Sequence, residues 1–224
     1  MRFTLITEGA SENRIIKHIL IKYFKEHELF FRDAQPQIVN DKQDTVGGWN
    51  EVLKYCSRTD DLKEIFNNTD YLVIQIDTDL SQTKPFEINH FTPENDLKSF
   101  DQLHNDVVEK LKQLIDSELF ELHSDKIFFA ICIHTIECWL LPLHYTNNHK
   151  NDTRNCILTL NSELRRQNIV TIPVTNKNSV KSVKTYETIL KAWRKREDIN
   201  NSAQHNIAFQ KFIDSLKLIN QAEL

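Results

Sequence analysis

Tyr71-Leu72-Val73-Ile74-Gln75-Ile76-Asp77-Thr78-Asp79 is the stretch on which the fold turns. Five of its first six residues are apolar or aromatic, and three of those are Val or Ile. A short, continuous run of this kind reads as a strand buried on both faces, as in a parallel sheet. The strand ends in two carboxylates. Burying a carboxylate is costly unless something pairs with it. In an extended chain, residues two apart face the same side with Cα atoms about 6–7 Å apart. Asp77 and Asp79 can therefore present oxygens to one site. Such oxygens suit hard divalent cations, and the carboxyl ends of parallel strands are where open α/β sheets hold ligands. Aspartates also favour solvated turns, so the bare pair admits that ordinary reading as well.

Outward from this strand the chain alternates. Phe3 to Thr7 reads as a first strand and Glu8 to Ser11 as the turn after it, with Gly9 suited to a tight bend and Ser11 to capping a helix. A helix follows, with Ile15, Ile16, Ile19, Leu20 and Phe24 on one side. Gln37 to Asn40 is a short candidate strand, Asp41 to Gly48 a polar loop, and Trp49 to Phe66 is helical with a break. This β-α-β-α-β order predicts a parallel sheet with helices on both faces. The strands ending at Thr7, near Asn40, at Ile76 and at Ile133 are expected in one sheet. Leu80 to Asp96 is irregular and long for a plain connection. Leu97 to Leu122 reads as one amphipathic helix. Lys126 to Ile133 is another buried strand, followed by His134 and Glu137. Residues 1–145 form the expected core, and 146–224 a helical C-terminal extension packed on it.

Composition bounds the function. Of 224 residues, 40 % are hydrophobic and 27 % charged, which suits a globular chain with a real core. Three glycines leave no room for long Gly-rich phosphate loops, and a net charge of −4 gives no global attraction to nucleic acid. The expected setting is cytoplasmic, with no membrane partner, since no run reaches the length of a spanning helix. Cys56, Cys132, Cys138 and Cys156 form no C-x-x-C pair, and reduced thiols are the expectation. A zinc site from Cys132, His134, Cys138 and His144 fits no standard spacing.

One local patch runs against the overall charge. From Lys177 to Arg196 there are seven basic residues and one acidic one, Glu187. Lys177, Lys181, Lys184, Lys191, Arg194, Lys195 and Arg196, with Tyr186 and Trp193 interleaved, form a candidate nucleic-acid surface in which the rings stack on bases. A merely solvated helix face is the other reading.

Three strand ends thus carry carboxylates: Glu8 with Glu12, Asp77 with Asp79, and Glu137. Glu12 and Glu137 also suit helix N-termini for ordinary electrostatic reasons. Taken in order, the set resembles the Toprim superfamily. Thr7-Glu8-Gly9-Ala10-Ser11-Glu12 is similar to the E-G-x-x-E form of the overcoming-lysogenization-defect nucleases and of small stand-alone bacterial Toprim-like proteins. Ile76-Asp77-Thr78-Asp79 stands where their Asp-x-Asp does, and Ile133 to Leu141 resembles their I-E-x-W-L-L segment. The stretch with Lys181, Lys184 and Tyr186 resembles their later lysine-bearing segment.

The resemblance implies a Toprim-like, Rossmann-like sheet and a nuclease that uses Mg²⁺ or Mn²⁺, two ions in all, in bacterial defence against phage. Asp77 and Asp79 are then metal ligands, and Glu8 a ligand or the base that orients water. Glu12 and Glu137 complete a second metal site. Lys181 or Lys184 neutralises the scissile phosphate. No ATPase domain is legible, so any coupling to ATP needs a separate ATPase or other defence-system protein. Self-association into a homo-oligomer is compatible with the sequence. Two other readings stand beside this one. The first is a Toprim-like regulatory module that binds metal or nucleotide without cutting. The second is an Asp-x-Asp phosphoryl-transfer enzyme, since Asp77-Thr78-Asp79-Leu80-Ser81 is close to D-x-D-x-[ST].

Overall fold

A computed structural model describes residues 1–40, 42–175, 178–179 and 181–222. Four strands form a parallel sheet in the order β2-β1-β5-β6: β1 (Arg2–Ile6), β2 (Phe30–Gln35), β5 (Tyr71–Asp77) and β6 (Ile127–Cys132). Two short antiparallel ribbons lie outside it, β3 (Ile38–Val39) with β4 (Lys42–Gln43) and β7 (Val174–Thr175) with β8 (Asn178–Ser179). The helices are α1 (Ala10–Tyr23), α2 (Trp49–Cys56), α3 (Thr59–Asn68), α4 (Phe100–Leu114), α5 (Ser117–His123), α6 (Leu141–His144), α7 (Cys156–Arg166), α8 (Val183–Leu190), α9 (Arg196–Ala203) and α10 (Ile207–Ala222).

Side chains alternate across each strand and so divide the interior into two layers. Phe3, Leu5, Val73, Phe128 and Ala130 face a core built with α1, α7, α8, α9 and α10. Ile6, Leu72, Ile74, Ile76, Ile127 and Ile131 face a second core with α2, α3, α4 and α5. The fold is therefore α/β with helices on both faces. Each fully buried Leu, Ile or Val side chain contributes about 1.5–3 kcal/mol. The two layers bury many such side chains, which fixes the carboxyl ends of β1, β5 and β6 rigidly beside one another. Tyr186, Trp193, Phe209 and Phe212 share the first layer with Phe3 and Leu5, so residues beyond 145 help bury the sheet itself.

Several sequence expectations need correction. The second strand of the sheet is Phe30–Gln35, not Gln37 to Asn40. It carries Arg32 and Asp33, which obscure it in sequence, and an edge strand with one neighbour tolerates such charges. Ile38–Val39 pairs instead with Lys42–Gln43. Leu97 to Leu122 is two helices. Ser99 and Gln102 close a capping box that starts α4, and Asp116 accepts from the Leu119 N–H to start α5. Gly9, in extended conformation, takes the N-cap position of α1, and Ser11 is buried inside the first turn. Cys138 and Cys156 are joined by a disulfide, their Cα atoms 5.0 Å apart, while Cys56 and Cys132 are free and buried. No described helix is long and apolar enough to cross a membrane.

Candidate active site

The carboxyl ends of β1 and β5 meet through a shared network. The Asp77 N–H donates to Glu8 Oε1 at 2.6 Å. Gln75, fully buried in the middle of β5, joins both acids: its Oε1 accepts from the Glu8 N–H at 3.1 Å, and its Nε2 donates to Asp77 Oδ1 at 2.9 Å. The Ile136 N–H donates to the same Oδ1 at 3.1 Å. Both bonds fall on Oδ1 and fix the carboxylate at the end of β5. The turn after β5 is tied to the end of β6. The His134 carbonyl accepts from the N–H groups of Thr78 and Asp79 at 2.9 and 3.1 Å, and the His134 N–H donates to Thr78 Oγ1 at 2.8 Å.

Glu8, Asp77, Asp79 and Lys181 line one cleft of about 830 Å³ together with Leu80, Thr135, Asn155, Ile157, Leu158 and Val174. Lys181 precedes α8 and is brought to this edge by the packing of α8 on α1. Its Nζ pairs with Glu12 Oε1 and with Glu137 Oε1, the latter at 3.0 Å. Tyr186, on α8, donates its hydroxyl to Glu137 Oε1. Glu137 is fully buried, and among the described residues its Oε2 has no hydrogen-bond partner. The five acids therefore fall into two groups. Glu8, Asp77 and Asp79 face the cleft, while Glu12 and Glu137 are held by Lys181 behind it. Glu8 and Lys181 also line a neighbouring concavity with Gly9, Glu12, Lys42 and Ser182.

The electrostatics follow this division. Burial pushes the Glu8 carboxyl up to about 8. The Asp77 N–H and Lys181 oppose the rise, and the charges of Glu12 and Asp79 reinforce it. Burial and the charge of Glu8 raise Asp77 well above the ordinary carboxylate range. Surrounding protein atoms desolvate even the exposed Asp79 and raise it too. Glu137 behaves oppositely: burial pushes it up, but Lys181 and the Tyr186 hydroxyl outweigh that and hold it below its usual value. Burial opposes the charge on Lys181, yet Glu12 and Glu137 raise its pKa well above that of a free lysine.

The donor set facing the cleft is all oxygen and all acidic, which suits Mg²⁺ or Mn²⁺ in kind. Among the described residues no three His, Cys, Asp or Glu side chains close round a single point as a cage. Any ion there would draw Glu8, Asp77 and Asp79 together from their present positions.

The other residues named from sequence are placed as follows. Lys184 is exposed and is not among the residues lining the cleft. Tyr186 and Trp193 are fully buried; the Trp193 Nε1–H donates to Ser202 Oγ, so neither ring can stack on a base. Lys191 and Arg194 are exposed, in the turn between α8 and α9. Lys195 and Arg196 line a concavity with Lys22 to His27, at the far end of α1 from Glu12. A rise of 1.5 Å per residue puts that end roughly 15 Å from the carboxylates. Lys177 lies outside the described residues.

Some contributors escape a reading of motifs. The chain has three glycines, and all of them adjoin Glu8 or Glu12. A Cβ on Gly47 would collide with the Glu8 carbonyl oxygen. Gly48, at φ +102°, donates its N–H to that same oxygen at 2.6 Å. The signal available in sequence was their scarcity, and for Gln75 its isolation inside an apolar strand.

His134, at φ +61°, holds a left-handed conformation that non-glycine residues rarely adopt. Burial, with the charges of Arg154 and His90, lowers its ring to about 4, so it is neutral near pH 7 and its Nε2 accepts from Arg154 Nε–H at 3.2 Å. Comparison of the chain with protein-family models, with curated proteins and with solved structures finds no match.

Proposed function

We propose that the protein is a divalent-metal-dependent nuclease that hydrolyses phosphodiester bonds of nucleic acid. The observation that carries this reading is the cleft in which Glu8, Asp77 and Asp79 stand at the carboxyl ends of adjacent parallel strands, with Lys181 beside them. Asp77 and Asp79 would hold Mg²⁺ or Mn²⁺, with Glu8 as a third ligand or as the acceptor of the proton from attacking water. When bound, such ions neutralise phosphate charge and lower the pKa of water. Gln75 and the Ile136 N–H fix the Asp77 carboxylate. Lys181 neutralises Glu12 and Glu137 and so limits the negative charge that an incoming phosphate meets.

The test is cleavage of single- and double-stranded DNA and RNA by the purified protein, with and without Mg²⁺ or Mn²⁺. Cutting should require the cation. Asp77→Asn and Asp79→Asn should each abolish it and weaken Mn²⁺ binding at least about tenfold in a calorimetric titration. Neither should lower the unfolding midpoint, because burial and the neighbouring acids already disfavour the charged carboxylate at both positions. Nucleic-acid binding without cutting under any metal would leave a binding module in place of the nuclease.

A further inference from the structure

Beside the carboxylate cleft lies a second cavity, of about 540 Å³, which shares Asp79, Thr135, Asn155, Ile157 and Leu158 with it. One wall is apolar and open to solvent: Phe91 is 41 % exposed, Leu97 56 % and Leu158 59 %. Phe91 and Leu97 are not loose, because an isolated antiparallel bridge pairs them across the Thr92–Asp96 turn. The other wall is polar and rigid. His90 Nε2 lies 2.9 Å from Ser81 Oγ and 3.0 Å from the Thr78 carbonyl. Arg154 is oriented by its Nε bond to His134, whose left-handed backbone is fixed by the three bonds to Thr78 and Asp79. A non-glycine residue persists in that conformation where the surroundings over-determine it, a pattern that clusters at functional sites. Here the surroundings are the turn that carries Asp79.

We propose that this cavity is a nucleotide subsite, in which a base lies against Phe91 and Leu97 while Arg154 binds the phosphate next to it. The volume falls in the range of sites that enclose small molecules. A flat apolar body with an attached anion satisfies both walls at once. Phe91 offers a face for stacking. Arg154 directs its Nε to His134, and the terminal nitrogens of a guanidinium suit phosphate oxygens. The strand's identity rests on the nuclease reading; binding of a nucleotide in the cavity does not.

The experiment measures binding of a short fluorescent single-stranded oligonucleotide by anisotropy. It uses the full chain carrying Asp77→Asn, so that cleavage does not intervene. Phe91→Ala should weaken binding roughly tenfold, the scale of one stacked base. Arg154→Gln should weaken it comparably and reduce the salt slope by about one phosphate contact, while Arg154→Lys should recover part of the affinity. Leu122→Ala removes a more exposed leucine (71 %) on α5, away from the cavity, and should bind like the parent. Phe91 and Arg154 are exposed, so unfolding midpoints should be unaltered. In the cutting enzyme the same two variants should raise KM more than they lower kcat. Phe91→Ala and Arg154→Gln proteins that bind as the parent does would overturn the subsite, even if the protein cuts nucleic acid. Loss of binding in both, in a protein that never cuts, would keep the subsite and sink the nuclease.

Discussion

Glu8 is the residue on which the electrostatics of the site turn. Its carboxylate accepts the Asp77 N–H, its carbonyl accepts the Gly48 N–H, and its backbone N–H is held by Gln75. Raised from 4.5 to about 8, Glu8 is a group that folding prefers protonated. Its stabilising contribution is complete below pH 4.5 and is lost as the pH rises through 8. Asp77 and Asp79 are shifted in the same direction. His134, lowered from 6.5 to about 4, acts oppositely: its contribution is present above 6.5 and lost as the pH falls through 4. His18, His104 and His144 share its sign. Between pH 6.5 and 8 the raised carboxylates act without opposition from these histidines. The urea midpoint of the metal-free protein should therefore fall across that window, and Glu8→Gln should remove much of the fall. A wild-type midpoint flat from pH 6.5 to 8 would contradict this account of Glu8.

At the scale of elements, the basic run of the C-terminal part is not one cationic helix. A turn after Leu190 separates α8 from α9, and the aromatic residues of the run point inward. The role of α8 is to deliver Lys181 and Tyr186 to Glu137. Glu137 is fully buried, and among the described residues its Oε2 is unpartnered, so the carboxylate depends on the bonds made to Oε1. Tyr186→Phe keeps the packing and removes one of those bonds, at a cost of about 1.5–3 kcal/mol for a hydrogen bond to a charged group. Urea unfolding at pH 7 measures it. An unchanged stability would mean that Lys181 and the Thr135 side chain satisfy Glu137 without the hydroxyl.

At the scale of the molecule, one face of the sheet is closed by α1 together with α7 to α10, so the later third of the chain is part of the core rather than an attachment. The Cys138–Cys156 disulfide spans 18 residues and links the segment that carries Glu137 to the start of α7, two residues after Arg154. Closing a loop of that size restricts the unfolded chain by about 3 kcal/mol. Adding a thiol reductant should lower the unfolding midpoint accordingly, and Cys156→Ser should reproduce the loss and make it insensitive to reductant. Alkylation without reductant should modify Cys56 and Cys132 only after unfolding, since both are buried. A midpoint indifferent to reductant would exclude the bond as a stabilising link.

The sequence by itself determined the third strand of the sheet, its ending in Asp77 and Asp79, the turn that carries Glu8, and the α/β class. Continuous apolar runs, strand alternation and helical periodicity are properties of neighbouring residues, so they can be read locally. The tertiary structure alone decided the rest. Phe30–Gln35 is a strand because β1 pairs with it, despite Arg32 and Asp33. Tyr186 is interior because α8 packs on α1, and Trp193 because His18 of α1 and Phe209 of α10 lie against it, although their neighbours in sequence are basic. Lys181 faces Glu12 rather than solvent across 169 positions of sequence. Gly47 and Gly48 matter because the Glu8 carbonyl passes against them. Each of these depends on which distant segments meet, and burial and charge pairing at such meetings override what any local window of the chain prefers.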